Sequence, residues 1–328
     1  MALFESLGVP LKTERGNRVF PVSDRSHDIA NALERAYAHA GGRVLHACAT
    51  DILTRDGAVS AVVTTEGTID CGAAVVCTGG MSYPLTGSTG DGYRFARQFG
   101  HTVTPLRASL VPLESNDPWC AEMQGFSLRN VTLTVYDENN KQVYSDLGEM
   151  LFTHFGVSGP LVLSASAHMR DFSQHTYRLS IDLKPALDQQ KLEARILRDI
   201  SESPNRDVEK LLCGLVPHSM APVMTRRLGF PPTLKANSLT KEQRRGLVEL
   251  LKHFTISVTG VRPVAEAIVT AGGVKVSEVK PNTMESKLVE GLYFAGEILD
   301  VDAYTGGFNL QIAWATGHLA GVSAAERE

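Results

Sequence analysis

Two short glycine-containing segments carry residue types that suit contacts to a nucleotide cofactor. The first is Thr78, Gly79 and Gly80, which directly follows the apolar run 73–77. A buried strand that ends in glycines lets the backbone approach a ligand closely, because glycine has no Cβ to collide with it. A tight turn after a core strand is the alternative interpretation, and such turns are common.

The second segment combines carboxylates with the start of a helix after the apolar run 292–295. Its candidate cofactor contacts are Gly296, Glu297, Asp300, Gly306, Gly307, Phe308 and Asn309. The N–H groups and the dipole at a helix N-terminus favour electron-rich groups such as a reduced flavin ring. A carboxylate there is suited to accept hydrogen bonds from ribityl hydroxyls. The alternative is an acidic surface loop before a C-terminal helix.

The other polar candidates have two interpretations each. His154 either faces a substrate or is a packed structural histidine, whereas His101 is interpreted as structural. Arg262 either binds a carboxylate substrate or pairs with Glu266 four residues later. Asp302 and Tyr304 either contact substrate or are solvated loop residues.

Catalytic residues are left unassigned, because a bound redox cofactor would carry most of the chemistry itself. No metal site is predicted, since the ten histidines are scattered without an H-x-x-x-H pair or a cysteine cluster. No G-x-S-x-G elbow is present, and Ser158 is interpreted as a helix cap.

Apolar periodicity and turn residues predict the elements that position these segments. Helices are expected to start at residues 23–24 and at Asp91, and to cover much of 188–254 and all of 310–320. Asp56-Gly57 predicts a hairpin turn. Strands are expected at residues 43–47, 49–55, 58–65, 73–77, 128–136, 142–144, 177–183, 254–259, 265–271 and 292–295.

The order of these elements favours a discontinuous domain with an insertion. We expect residues 1–105 and 270–328 to form one domain and residues 106–269 to form the inserted domain.

The chain has 328 residues, five cysteines and a net charge of -4. The acidic balance argues against a nucleic-acid or anionic-membrane partner, and the odd cysteine count favours a reduced, cytoplasmic setting. No secretory signal or membrane-spanning run is expected.

Four ordered blocks resemble one family of flavoproteins. They are residues 82–93 after the glycine-ended strand, residues 148–160, residues 270–274 with 283–287, and residues 294–309. In this order they resemble the HI0933-like (BaiN/aminoacetone oxidase-like) family of NAD(P)/FAD-dependent oxidoreductases. The resemblance spans nearly the whole chain. Fumarate-reductase-like flavoproteins share the helix start at residues 89–92 but not the later blocks.

The resemblance implies an α/β fold with a Rossmann-like FAD-binding domain and an inserted β-barrel plus helical substrate domain. It implies FAD as cofactor, NAD(P)H as a candidate electron donor and a small-molecule substrate. The family opens with a G-x-G-x-x-G strand–turn–helix unit that holds the FAD pyrophosphate, and this sequence contains no such unit. The FAD-binding domain is therefore expected to be incomplete.

Two explanations for that departure stay open. The chain is either a fragment, or it receives a complementing N-terminal segment from another polypeptide. Either way, we expect this chain alone to hold FAD weakly or not at all, because charge-assisted backbone hydrogen bonds worth about 1.5–3 kcal/mol each are missing. The alternative function is a non-catalytic remnant or binding module that does not retain FAD.

Overall fold

The structure is a computed structural model that describes residues 1–14, 17–169, 171–172 and 174–327. The chain divides into two units. Unit 1 contains Met1–Leu106 and Ala271–Glu328, and unit 2 contains Arg107–Thr270. The function of each unit stays a prediction, and each is described by itself below.

Helices and strands alternate irregularly along the described residues. The helices are α1 (Ala2–Ser6), α2 (Ser26–His39), α3 (Asp91–Gln98), α4 (Pro118–Glu122), α5 (Pro160–Ser166), α6 (Gln189–Glu202), α7 (Val208–Leu212), α8 (Ala221–Arg227), α9 (Lys241–Lys252) and α10 (Phe308–Ala325). The strands are β1 (Leu11–Glu14), β2 (Arg18–Pro21), β3 (Ala49–Arg55), β4 (Ala58–Thr64), β5 (Gly67–Asp70), β6 (Ala74–Val76), β7 (Arg107–Ser109), β8 (Leu113–Glu114), β9 (Ser127–Asp137), β10 (Gln142–Thr153), β11 (Gly156–Ser158), β12 (Tyr177–Asp182), β13 (Phe254–Val258), β14 (Gly260–Val261), β15 (Val269–Ala271) and β16 (Leu292–Phe294).

Unit 1 is built around a parallel pair of strands from distant parts of the chain. β6 pairs with β16, with Ala74 opposite Leu292 and Val76 opposite Phe294. β3, β4 and β5 form a separate antiparallel sheet, and β1 pairs with β2. The predicted turn at Asp56-Gly57 is confirmed, since both residues adopt the positive φ that a tight hairpin needs.

The core of unit 1 lies between the parallel pair and α3. Val76 and Phe294 pack with Tyr93, Phe95 and Ala96 of α3. The predicted strand at 73–77 is confirmed in part, because only Val76 is fully buried and Val75 is 37% exposed. The side chains of this strand therefore differ in burial along its length.

Unit 2 contains a seven-stranded sheet in the order β13-β12-β9-β10-β11-β8-β14. Alternation along β9 buries Val131, Leu133 and Val135, as expected for a strand with one face on the core. α9 packs against β12 and β13 on this sheet. The predicted strand at 142–144 is longer than expected, since β10 continues to Thr153.

The two edge strands of this sheet are consecutive in the chain. β13 ends at Val258 and β14 begins at Gly260. Between them, Thr259 donates a backbone hydrogen bond to Glu114 of β8 over 2.9 Å. The sheet therefore curves enough for its ends to meet at one residue, while the predicted β-barrel stays a prediction.

The predicted strand at residues 43–47 is wrong. This segment has no regular structure, and its apolar side chains Val44 and Leu45 are 72% and 53% exposed. Apolar composition alone does not form a strand, because a strand also needs a neighbouring strand to receive its backbone hydrogen bonds.

Two further predictions need correction. The expected strand at 265–271 is limited to β15, because Val264–Glu266 forms a 3₁₀ turn after Pro263. Ser158 is not the cap of α5. It lies in β11, and Gly159 is the N-cap at φ 94°. A side chain at position 159 would press against the backbone of Met150, so a glycine rather than a capping serine makes this corner.

Helix α9 begins with a complete capping box that offers a direct test of this fold. The Thr240 hydroxyl accepts from Gln243 N at 3.1 Å, and Gln243 Oε1 accepts from Thr240 N at 2.9 Å. We expect Thr240→Ala to lower the free energy of unfolding by about 1 kcal/mol in urea titrations. Thr240→Ser is the control, since it keeps the acceptor and is expected to stay near wild type. Equal losses in both variants would contradict the role given to the cap.

Candidate active site in unit 1

The parallel pairing of β6 and β16 places two predicted segments at one edge of the sheet. The carboxyl ends of parallel strands lie at the same edge, which is where open α/β sheets bind ligands. Ala295 N donates to Val76 O over 3.1 Å, so the register holds up to the point where both chains leave the sheet. The loops that follow are those of Thr78 and Gly296.

The first loop is open at its start and buried at its end. Thr78 is exposed, Gly79 is half-buried at φ 71°, and Gly80 is buried. A Cβ at position 79 would lie 3.0 Å from Ser88 Oγ. Glycine is therefore needed here for both the left-handed backbone and the close approach of Ser88.

The second loop carries two half-buried carboxylates. Gly296 N donates to Thr316 Oγ1 of α10 over 2.9 Å, which fixes the loop against that helix. Glu297 Oε1 accepts from Ser82 Oγ at 3.2 Å. Asp300 is held through its backbone, whose N–H donates to Val274 O at 2.9 Å. The Glu297 carboxylate is therefore linked to the first loop, whereas Asp300 is held through its backbone.

Helix α10 begins at the predicted glycines. Gly306 and Gly307 have φ values of 116° and 94°, and Gly307 is the N-cap. A Cβ added to Gly307 would meet no atom within 4 Å, so open space adjoins the helix N-terminus. Phe308 and Leu310 on the first turn are 57% and 59% exposed.

Asn309 uses its side chain to hold the preceding loop. Its carboxamide accepts from Ala303 N at 2.9 Å and donates to Ala303 O at 2.8 Å. The Asn309 side chain thus holds the loop before α10, while its backbone N–H lies in the first turn of that helix. The sequence pattern predicted the position but not this division of roles.

Gly92 is the residue that sequence reasoning missed. A Cβ there would overlap Thr78 Oγ1 and lie 2.5 Å from Ile298 Cδ1. The absence of a side chain at the second residue of α3 thus lets both loops pack on one helix start. The signal in the sequence was the glycine of Thr89-Gly90-Asp91-Gly92, which served above only as part of a resemblance.

Tyr93 places an enclosed hydroxyl next to the two carboxylates. The side chain is buried, and its Oη has no hydrogen-bond partner among the described residues. Burial, together with the charges of Glu297 and Asp300, raises the pKa of Tyr93 to about 12. The hydroxyl is therefore neutral and unsatisfied at neutral pH.

The histidine candidates lie in contrasting surroundings. His154 is exposed, with its ring edge-on to Phe155 at 5.0 Å. His101 is buried, and its Nε2 lies 2.7 Å from Ser286 Oγ. Burial lowers the pKa of His101. The Glu278 carboxylate, 3.4 Å from Nδ1, acts in the opposite direction, although the two groups do not form a hydrogen bond. These contacts are what a neutral structural histidine makes.

Arg262 forms the pairing that its spacing indicated. Its guanidinium donates to Glu266 at 2.7 and 2.9 Å and to Glu114 at 3.0 Å. The same group lies 4.8 Å from the centre of the Phe155 ring. Asp302 is half-buried and Tyr304 is exposed, and both make interactions within the protein.

The described residues contain no group of three or more His, Cys, Asp or Glu side chains arranged to hold a metal ion. Within the same residues, no helix is both long and apolar enough to cross a bilayer.

A parallel strand pair whose carboxyl ends lead into glycine loops beside a helix N-terminus is a feature of nucleotide-cofactor folds of the Rossmann type. The profile of the HI0933-like protein Rossmann domain family matches residues 1–323. The chain belongs to this family, and its fold is α/β with a Rossmann-like domain.

Known relatives of this chain are named as a bile-acid reductase and as ribosomal RNA dihydrouridine synthases. A 3-dehydro-bile acid delta(4,6)-reductase of Clostridium scindens is 29% identical over 330 residues, which cover 100% of this chain and 80% of the relative. Ribosomal RNA dihydrouridine synthases of Haemophilus influenzae and Escherichia coli are 36% and 34% identical over 77% and 76% of this chain. The match covers 60% of each of these two relatives. Family membership and the reductase relative support a flavin oxidoreductase.

Close packing at Gly92 yields a stability prediction. We expect Gly92→Ala to lower the free energy of unfolding of unit 1 by about 1–3 kcal/mol, because the new methyl must displace Thr78 and Ile298. Gly72→Ala is the control, since a Cβ at Gly72 meets no atom within 4 Å. Urea unfolding followed by circular dichroism measures both variants. A Gly92→Ala protein as stable as Gly72→Ala would show that the loops do not converge on α3.

The enclosed hydroxyl yields a second prediction, of opposite sign. Tyr93→Phe removes an unsatisfied buried polar group and is expected to raise the free energy of unfolding by about 1 kcal/mol. Tyr293→Phe is the matched comparison, because the Tyr293 hydroxyl donates to Ser323 O at 3.3 Å and its loss is expected to destabilise. Thermal unfolding of both proteins decides the point, and a destabilised Tyr93→Phe would mean that the hydroxyl has a partner.

Proposed function

We propose that this chain provides the flavin-binding part of an FAD-dependent oxidoreductase that reduces a small-molecule substrate. The observation that carries the proposal is the first turn of α10. There, open space adjoins Gly307, and Phe308 and Leu310 expose apolar side chains beside it. Exposed apolar surface next to unsatisfied helix N–H groups suits a flat aromatic ring that carries negative charge.

The residues of the two loops have distinct proposed roles. The backbone at Gly79, Gly80 and Gly296 would approach the cofactor closely. The carboxylates of Glu297 and Asp300 would accept hydrogen bonds from cofactor hydroxyls. The N–H groups at the start of α10 would stabilise negative charge. These residues fit the group through open space at Gly307, a Glu297 carboxylate held by Ser82 and an uncapped helix start.

Bound FAD would supply the two-electron, hydride-transferring chemistry, with NAD(P)H as the proposed electron donor. We assign the FAD-binding role to unit 1 and the substrate-binding role to unit 2. The setting that we propose is the cytoplasm, in keeping with five free thiols, of which Cys48 and Cys77 are exposed.

The printed activities of the relatives suggest a reaction class. A delta(4,6)-reductase and a dihydrouridine synthase both saturate a carbon–carbon double bond. We therefore propose reduction of such a bond in a substrate whose carbonyl group activates it. The net charge of -4 favours a small molecule over an RNA, because RNA binding gains most of its affinity from basic side chains.

The alternative is a folded binding module that does not retain flavin. Visible absorbance of the purified chain, before and after addition of FAD and removal of the excess, separates the two. Flavin bands that stay with the protein, and that bleach with NADH or NADPH without oxygen, would support the oxidoreductase. A folded but colourless protein that never retains FAD would favour the binding module.

A pair of variants in α10 tests the proposed contact directly. Alanine at Gly307 would have to adopt φ 94°, which costs about 1–2 kcal/mol and disturbs the helix start. We expect Gly307→Ala to weaken FAD binding about tenfold or more, measured by quenching of flavin fluorescence. Gly317→Ala lies within the same helix with no atom near its added Cβ and is expected to bind FAD like wild type. Equal affinities in the two variants would contradict the assignment.

A further inference from the structure

A cavity in unit 2 contains positive charge that its own walls do not offset. Its volume is about 380 Å³, and its charged lining residues are Arg129 and Lys184. No acidic side chain lines it among the described residues. Leu128, Leu183 and Leu215 also line the cavity, so its exposed surface combines polar and apolar atoms.

A β-bulge places Arg129 at this cavity. In the pairing of β9 with β10, Leu128 lies opposite Met150 and Val131 lies opposite Gly148. Arg129 and Asn130 therefore share a single partner position on β10, and Asn130 adopts φ 54°. Bulges of this kind redirect side chains and occur often beside binding sites.

The carboxylate nearest to Lys184 in the sequence is already engaged. Asp182 Oδ2 lies 2.6 Å from Lys252 Nζ, and Asp182 Oδ1 accepts from the backbone N of Lys184 at 2.9 Å. Lys252 also donates to the carbonyl oxygens of Lys184 and Leu187. Within the described residues, no ion pair is formed by the Lys184 amine.

The surroundings of Lys184 disfavour its positive charge. Burial lowers the pKa of Lys184, and the charge of Arg195 lowers it further. Arg195 itself is paired with Asp199 at 2.8 Å. A half-buried amine without a counterion is unfavourable, and an anion in the cavity would remove that cost.

A second cavity of unit 2 differs in its charge. It has a volume of about 500 Å³ and contains Arg178 and His253, but Glu249 also lines it. Negative charge is therefore already present there. The uncompensated pair of cations distinguishes the Arg129–Lys184 cavity.

We propose that this cavity binds a small organic carboxylate. Its charged end would lie between Arg129 and Lys184, and its apolar body would pack on Leu128, Leu183 and Leu215. Arginine presents a planar fork that matches a carboxylate, and lysine adds a point charge. The assignment concerns unit 2 alone and does not depend on flavin binding.

Isothermal titration of the full chain with benzoate, acetate and inorganic phosphate tests the proposal. We expect benzoate to bind about tenfold or more tightly than acetate, since only benzoate covers the apolar walls. Absence of binding by all three anions would overturn the site. Tighter binding of phosphate than of benzoate would overturn the assignment to a carboxylate.

Charge variants locate the binding. Lys184→Met is expected to weaken benzoate binding about tenfold or more, and Arg129→Gln provides a second variant in case the first is unstable. Lys241→Met is the matched control, because Lys241 is an exposed lysine of the same unit outside the cavity. If Lys241→Met weakened benzoate binding equally, the effect would come from the net charge of the protein, and the site would be rejected.

Cys213 gives an independent measure, since it lines the cavity and is half-buried. Saturating benzoate is expected to slow alkylation of Cys213, read by mass spectrometry of its peptide. The exposed Cys48 of unit 1 serves as internal control and should react at an unchanged rate. The proposal would be contradicted if benzoate did not protect Cys213 in the wild-type protein at saturation. It would also be contradicted if the protection persisted in a Lys184→Met protein.

Discussion

The parallel ladder between β6 and β16 is the constraint on which unit 1 depends. It joins Ala74–Val76 to Leu292–Phe294, so residues more than two hundred positions apart must meet before either glycine loop is positioned. Three paired residues are marginal by themselves. The ladder persists because Val76 and Phe294 also bury their side chains against α3. Pairing and burial thus stabilise each other.

The same packing explains why the loops lie together. Gly92 lets the start of α3 touch both Thr78 and Ile298, which a larger residue would separate. The hydrogen bond from Ser82 to Glu297 then links the two loops directly. Thr316 of α10 holds Gly296, and Asn309 holds Ala303. The site is accordingly fixed by α3 on one side and by α10 on the other.

Local signals predicted the parts of this structure that local physics determines. The Asp56-Gly57 turn needs two residues with positive φ, and the alternation of β9 needs only one buried face. The strand predicted at residues 43–47 does not form, because strand formation depends on a partner strand elsewhere in the chain. For the same reason, the role of Gly92 was not predictable, since its neighbours Thr78 and Ile298 come from two other segments. The sequence predicted that the candidate loops follow strand ends. It did not predict the contacts that join the two loops.

Two polar groups without partners illustrate when such a group indicates a ligand. The Tyr93 hydroxyl is enclosed by the core, so no solute reaches it without rearrangement. Its cost is a local consequence of burial, which together with the charges of Glu297 and Asp300 also raises the pKa of the hydroxyl. Lys184 is different, because open volume adjoins its cationic amine and a second cation faces the same space. Only in that second arrangement can a bound ligand offset the cost of desolvation. A cavity together with an unpaired charge is therefore stronger evidence for a ligand site than either feature alone.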